Sequence, residues 1–171
     1  RAQATGDLAF DLYRSPSARP GEAGLNTSGP GGSVPLSDIL PMLENMGLKV
    51  LEEMPYDIRP ADLDEEVSIR DFRLMTEDGT PVGLDQVKAP FEEVFGRVWL
   101  GEMENDGFNR LVLQAGLVGS EVTVLRAYCK FLRQTGLTFS QAYMEETLAN
   151  NPKIARALVA LFRTRFTLDM T

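Results

Sequence analysis

The sequence predicts an α+β fold, a strand, helix, strand, strand, helix series that passes into an all-helical segment. Three observations predict it. Residues 7–14 alternate, with Leu8, Phe10 and Leu12 on one side and Ala9, Asp11 and Tyr13 on the other, which is the period of a half-buried strand. From residue 84 the apolar spacing becomes helical, first through Val87, Phe91, Val94, Phe95 and Val98, then through Phe108, Leu111, Val112 and Ala115. After Trp99 no stretch alternates again.

Between these landmarks the elements follow in order. Residues 15–33 are rich in Gly, Pro and Ser without periodicity and are expected to form a long mobile loop. The Asn26-Thr27-Ser28 sequon inside it is read as an accidental match. Ile39, Leu40, Leu43 and Met46 share one helical face, with Ser37 or a neighbour as N-cap and Gly47 as a left-handed stop. Pro41 in that helix is tolerable only in or near the first turn. Residues 48–58 read as a strand broken near Pro55, and residues 59–66 as an acidic connection. Residues 67–74 read as a strand whose apolar phase slips between Ile69 and Phe72, as a bulge or an early strand end would cause. Glu77-Asp78-Gly79 signals a turn, and Pro90 places the start of the next regular helix near itself.

In the helical part, Asp106 or Asn105 caps the helix that Phe108 to Ala115 spell out, and Gly116 ends it. Ser120 as N-cap and Gly136 as stop bound a second helix. Val122, Leu125, Cys129 and Leu132 mark one stripe of it and Val124, Tyr128 and Phe131 another, so burial on two sides is expected. Phe139 and Met144 suit a hydrophobic staple around Ser140, with the helix running to Ala149. Asn151-Pro152 opens a last helix with a stripe of Ile154, Leu158, Leu161, Phe162 and Phe166, expected to be partly exposed. The order resembles the βαββαβ of a ferredoxin-like or ACT-type domain without its final strand. The expected organisation is an ACT-like α+β segment over residues 1–82, with the loop at 15–33, and a helical segment over residues 83–171.

Composition excludes several function classes. A net charge of −8 disfavours nucleic acid and anionic membrane surfaces, both of which need a basic face. Histidine is absent, which removes the commonest general base and metal ligand. Cys129, the single cysteine, allows no disulfide framework within the chain and fits a reducing, cytoplasmic setting. No run approaches the roughly 20 apolar residues of a membrane span. A start at Arg1, with neither Met nor a signal-type segment, is expected of a piece of a longer protein. Gly29-Pro30-Gly31-Gly32 has neither the dinucleotide nor the Walker spacing. Glu102, Glu104 and Asp106 are the one carboxylate set open to cation binding or acid/base chemistry, with capping the simpler role. Lys130 and Arg133 read as solvated. Trp99, Phe91 and Phe95 read as core rather than as a ligand pocket. No catalytic, cofactor-binding or metal-binding residue is assigned.

Four long segments carry a resemblance. PLSDILPMLENMGLKVLEEMPY (residues 35–56), FEEVFGRVWLGEMENDGFNRLVLQAGL (91–117), EVTVLRAYCKFLRQTGLTFSQAYMEETL (121–148) and NPKIARALVALFRTRF (151–166) closely resemble the large bacterial NAD-specific glutamate dehydrogenases. The resemblance places the chain in their long N-terminal half, where ACT-like domains and helical motifs precede the catalytic domain. It implies a parent that oxidatively deaminates glutamate to 2-oxoglutarate and ammonia with NAD. The catalytic lysine and the dinucleotide-fold glycines of that family have no matching motif here, so none is carried over. What the resemblance implies for this chain is a non-catalytic assembly or regulatory segment. Its expected partners are the rest of the same polypeptide, further copies in a homo-oligomer and an amino-acid effector. The alternative is a free-standing ACT-like ligand-binding module.

Overall fold

A computed structural model describes residues 3–5, 8–16, 18–30, 35–59, 67–81 and 83–166. The chain opens with β1 (Gln3–Thr5), β2 (Leu8–Tyr13) and β3 (Glu22–Pro30), followed by α1 (Leu36–Asn45), β4 (Leu48–Ile58), β5 (Val67–Thr76) and α2 (Leu84–Trp99). A 3-10 turn (Gly107–Arg110) then leads into α3 (Leu111–Ala115), α4 (Gly119–Gln134), α5 (Gln141–Ala149) and α6 (Pro152–Phe166). The α+β class and the passage into helices are as the sequence predicts.

The strands form one antiparallel sheet in the order β1-β2-β3-β5-β4. β3 and β4 are therefore parallel, with β5 between them and α1 crossing from one to the other, a split βαβ unit. α2 follows β5, and the place beside β3 that the last strand of a βαββαβ unit would fill is taken by β2. The strand absent from the sequence order is thus supplied from the N-terminal side, and β3, not residues 7–14, begins the split unit.

This corrects the expectation of a mobile loop over residues 15–33. Residues 22–30 are a central strand, registered through Leu12↔Leu25 with β2 and Leu25↔Phe72 with β5, while residues 17 and 31–33 lie outside the described residues. The strand was hidden because its inward positions Ala23, Leu25 and Thr27 alternate with Gly24, Asn26 and Ser28, which are small and polar. Gly24 has a packing reason: the Tyr13 ring crosses it, and a Cβ there would lie 2.2 Å from a ring carbon.

Two further strand expectations change. β4 runs unbroken through Pro55, which faces Arg70, because β4 is an edge strand whose outward amides have no ladder partner to lose. The irregularity lies in β4, between Val50 and Glu52 with Leu51 as the extra residue, rather than in β5. β5 keeps its phase: Phe72, Leu74 and Thr76 are buried, and Ile69 points to the other face.

Three helix starts also differ. α1 begins at Leu36 after Pro35, with Ser37 already helical, its hydroxyl donating to Asp38, and with Pro41 beyond the first turn. α2 begins at Leu84 with Pro90 inside it. α4 begins at Gly119, and the cap is the Glu121 carboxylate, which accepts the Val118 N–H at 2.9 Å in place of Ser120. Gly47, at φ +81°, and Gly116, at φ +62°, end their helices in the left-handed region as the sequence predicts.

The helices cover one face of the sheet. Leu8, Phe10, Leu12, Leu25, Phe72 and Leu74 meet Ile39 and Leu43 of α1 and Phe91 and Phe95 of α2 in a single core, which continues through Phe108, Leu111, Val122 and Leu125 to Ala155 and Val159. Phe10 and Phe95 pack edge to face at 5.2 Å, an arrangement that adds about 0.5–1.5 kcal/mol to the area they bury. Phe91 and Phe95 therefore belong to the core, and Trp99 packs half-buried against it.

Candidate functional site

Of the three carboxylates singled out in the sequence, Glu104 and Asp106 gather around Arg126, and Glu102 is exposed. Asp106 accepts the Phe108 N–H at 3.2 Å, capping the 3-10 turn, and takes Arg126 in a bidentate pair at 2.7 and 2.8 Å. Arg126 is only 4% exposed, and it also donates to Asn109 Oδ1 at 2.8 Å and approaches Glu104 at 3.2 Å. Lys130, expected to be solvated, pairs with Glu104 at the surface. Arg126 itself was not singled out from the sequence. The available signal was a cation at a position flanked by the buried Leu125, Val122 and Cys129.

A second buried charge lies on α2. Glu92, 5% exposed, accepts the Leu12 N–H at 3.0 Å, just past the end of the β1 pairing, and lies 3.6 Å from Lys88. Lys88 also pairs with Asp11, whose hydrogen bond holds the ammonium pKa above its ordinary value.

An apolar groove of about 530 Å³ lies among α4, α5 and α6. Leu125 and Cys129 form its floor; Tyr128, Leu132, Phe139, Tyr143, Leu158 and Leu161 line its open side. α4 buries one stripe only, so the expected burial on two sides is corrected: Tyr128 is exposed and Phe131 is 60% exposed. On α6 the buried positions are Ala155 and Val159, and most of the predicted stripe faces outward, with Leu161 63% exposed. Phe139 stacks on Tyr143 at 5.0 Å, while the Ser140 hydroxyl caps α5 by accepting the Tyr143 N–H at 3.1 Å. The groove offers little chemistry: the Thr147 hydroxyl is spent on Tyr143 O at 2.7 Å, and burial pushes the Cys129 thiol pKa up, away from the nucleophilic thiolate.

A polar cleft of about 610 Å³ lies where the sheet unit meets the helices, between the β5–α2 connection, α3 and the α5–α6 corner. Arg110 reaches Glu77 at 3.5 Å across it. Arg110 Nε and Gln114 Oε1, one helical turn apart, are buried without a hydrogen-bond partner. Asp78 is held by Thr80, through its hydroxyl at 2.7 Å and its amide at 3.0 Å, which lowers the carboxyl pKa with the hydroxyl bond as the larger cause. Neither concavity assembles a nucleophile with a base. Among the described residues no His, Cys, Asp and Glu cluster is arranged for a metal ion, and no helix is long and apolar enough to cross a membrane.

Comparison with known proteins follows the same division. Residues 7–87 match the glutamate dehydrogenase ACT3 domain and residues 103–168 match the glutamate dehydrogenase helical motif 3. The chain belongs to the NAD-specific glutamate dehydrogenase family. The enzyme of that name from Halomonas elongata is 42% identical over 93% of this chain and 10% of its own length. That of Pseudomonas aeruginosa is 44% identical over 78% of this chain and 8% of its own, and that of Mycobacterium tuberculosis 39% identical over 80% and 9%. The chain thus spans about a tenth of the length of these glutamate dehydrogenases.

Proposed function

We propose that this chain is a non-catalytic segment of an NAD-dependent glutamate dehydrogenase. The parent converts glutamate to 2-oxoglutarate and ammonia with reduction of NAD in the cytoplasm, and residues 1–82 and 83–171 serve as an ACT-like unit and a helical unit in its assembly. The observation that carries the reading is the groove on α4–α6. Large apolar side chains stand open there, each forfeiting about 1.5–3 kcal/mol of burial, beside a core that is otherwise closed. Such a face is an assembly surface, whereas hydride transfer needs a dinucleotide cradle that the sequence does not supply.

The test is a pair of measurements on the chain. An NADH absorbance assay with glutamate should show a folded but inactive protein, and chain-dependent turnover would overturn the non-catalytic reading. Sedimentation should show association that rises with concentration; a chain that stays monomeric at high concentration would overturn the assembly reading. One observation favours an added regulatory role. The polar cleft, with Arg110 as cation and Glu77 and Glu146 as anions, has the charges for a small zwitterion such as an amino acid. Calorimetry against the common amino acids tests that role, and the absence of heat with all of them would remove it.

A further inference from the structure

We propose that the groove on α4–α6 seats an amphipathic helix with acidic ends, supplied by another part of a long glutamate dehydrogenase polypeptide. The inference rests on the assembly reading and names the occupant. This chain covers 10%, 8% and 9% of the relatives matched above, so about nine-tenths of each lies outside it and can supply such a helix. The shape of the groove fits one. On α4 it runs from Leu125 to Leu132, seven positions or about 10 Å of helix axis. That is the span of anchoring side chains at i, i+3, i+4 and i+7 of a docking helix. The floor at Leu125 and Cys129 is buried, while Tyr143, Leu158 and Leu161 stand 53%, 40% and 63% exposed around it, so the recess admits a ridge of apolar side chains.

Charge names the kind of helix. No residue lining the groove is charged. Of the cations nearby, Lys130 pairs with Glu104, Arg163 pairs with Glu121, and Arg156 donates to the Ala115 carbonyl, so these are already partnered. Arg133 and Arg165 are exposed and form no ion pair among the described residues: Arg133 meets the neutral Gln141 side chain at 3.5 Å, and Arg165 stands one turn beyond Leu161 on the same face of α6. They lie at opposite ends of the groove, because Arg163 ties that end of α6 to the first turn of α4, whereas Arg133 belongs to its last turn. The two carboxylates of residues 128–166 turn away from it. Glu145 accepts Gln141 Nε2 at 2.8 Å beside Gly107, and Glu146 lines the polar cleft. The groove is thus an apolar centre with a cation at each end, in a chain of net charge −8. A second copy's groove would set Arg133 and Arg165 against their like, whereas a helix with carboxylates beyond both ends of its apolar stripe meets them with opposite charge. A flat bilayer would leave the recess unfilled.

The experiment uses two fluorescently labelled helical peptides of about 15 residues. Both carry Leu at i, i+3, i+4 and i+7; one has Glu beyond each end of that stripe and the other has Lys. Anisotropy is read at chain concentrations where sedimentation shows the monomer. The Glu peptide should bind at least about tenfold more tightly than the Lys peptide, with added salt narrowing the gap. Leu161→Asn should weaken both peptides, and Arg133→Glu together with Arg165→Glu should reverse the preference. All three positions are exposed, so circular dichroism should show the native fold in each variant. Equal binding of the two peptides, or a preference that survives the charge reversal, overturns the proposal. A chain that binds phosphatidylglycerol vesicles and not the Glu peptide also overturns it, and gives the groove to an anionic membrane. A chain that associates with itself but binds neither peptide overturns it and leaves the assembly reading standing. A chain that binds the Glu peptide yet stays monomeric at high concentration removes self-association and keeps the acidic helix as occupant.

Discussion

Asp106→Ala should be among the most destabilising single changes outside the aromatic core. The carboxylate does two things at once, taking the Arg126 guanidinium at 2.7 and 2.8 Å and capping the 3-10 turn through Phe108 N–H. Its removal leaves a buried guanidinium with Asn109 Oδ1 and the half-exposed Glu104 as acceptors. Breaking a buried ion pair from one side costs about 3–5 kcal/mol, and a lost cap about 1 kcal/mol. Glu104, already 3.2 Å from Arg126, can move in and recover part of this, so the expected loss is about 3 kcal/mol, or roughly 6–12 °C in Tm. Arg126→Met should cost less, because Asp106 keeps its capping role and is the more exposed partner at 13%. The double variant should cost less than the sum, by about 1–3 kcal/mol of coupling. Urea unfolding followed by circular dichroism measures all three, with a constant m value as the check that the unfolded states are alike. Losses that add within about 0.5 kcal/mol would show that the pair is uncoupled and the reasoning wrong.

Two other perturbations probe the sheet. Glu92→Leu should lower stability by about 1–3 kcal/mol, because the Leu12 N–H is left buried without an acceptor, whereas Glu92→Gln keeps a carbonyl there and should lose less; equal losses in urea unfolding would refute the hydrogen bond's role. Burial first, and then the 2.8 Å bond to Asp71, raise the Tyr13 pKa from 10.0 to about 12. The folded state therefore holds this proton more tightly than the unfolded one. Stability from the pair is complete below pH 10 and is lost as pH rises toward 12. Tyr13→Phe should flatten that alkaline fall, and Gly24→Ala should do the same by displacing the ring; parallel stability curves for Tyr13→Phe and the unmodified chain over this range would sink the assignment.

What the sequence disclosed and what it withheld follow from where each element gets its stability. The helices around Phe108 and Leu125 were legible because their buried residues recur at helical spacing, and Asp106, Gly116 and, for α5, Ser140 mark ends by local signals that need no partner. β3 was not legible, since a strand flanked on both sides is held by its ladder, and Ala23, Leu25 and Thr27 add little side-chain pattern of their own. The Pro-containing helices started earlier than their prolines indicate because packing of Ile39, Val87 and Phe91 against the core outweighs one missing amide. The groove was half legible. An apolar stripe at Ile154, Leu158 and Leu161 is visible in sequence, but which face of a helix finds a partner depends on neighbours far along the chain.

The same logic bears on how the two halves are coupled. α2 lies between them: Phe95 packs on Phe10 of β2, while Val94 comes so close to α4 that a Cβ on Gly119 would sit 3.1 Å from its methyl group. A side chain at this position would require Val94 and Glu93 to give by a few tenths of an ångström. A second seam runs from the end of α1, where the Asn45 side-chain amide donates to Asn105 Oδ1 at 3.0 Å and a Cβ on Gly47 would sit 3.3 Å from the Arg110 Cβ. The polar cleft lies along this seam, with Arg110 as the side chain common to both. The cleft and the apolar groove share α5: Glu146 and Ala149 line the cleft, while Tyr143, Met144, Thr147 and Leu148 of the same helix line the groove.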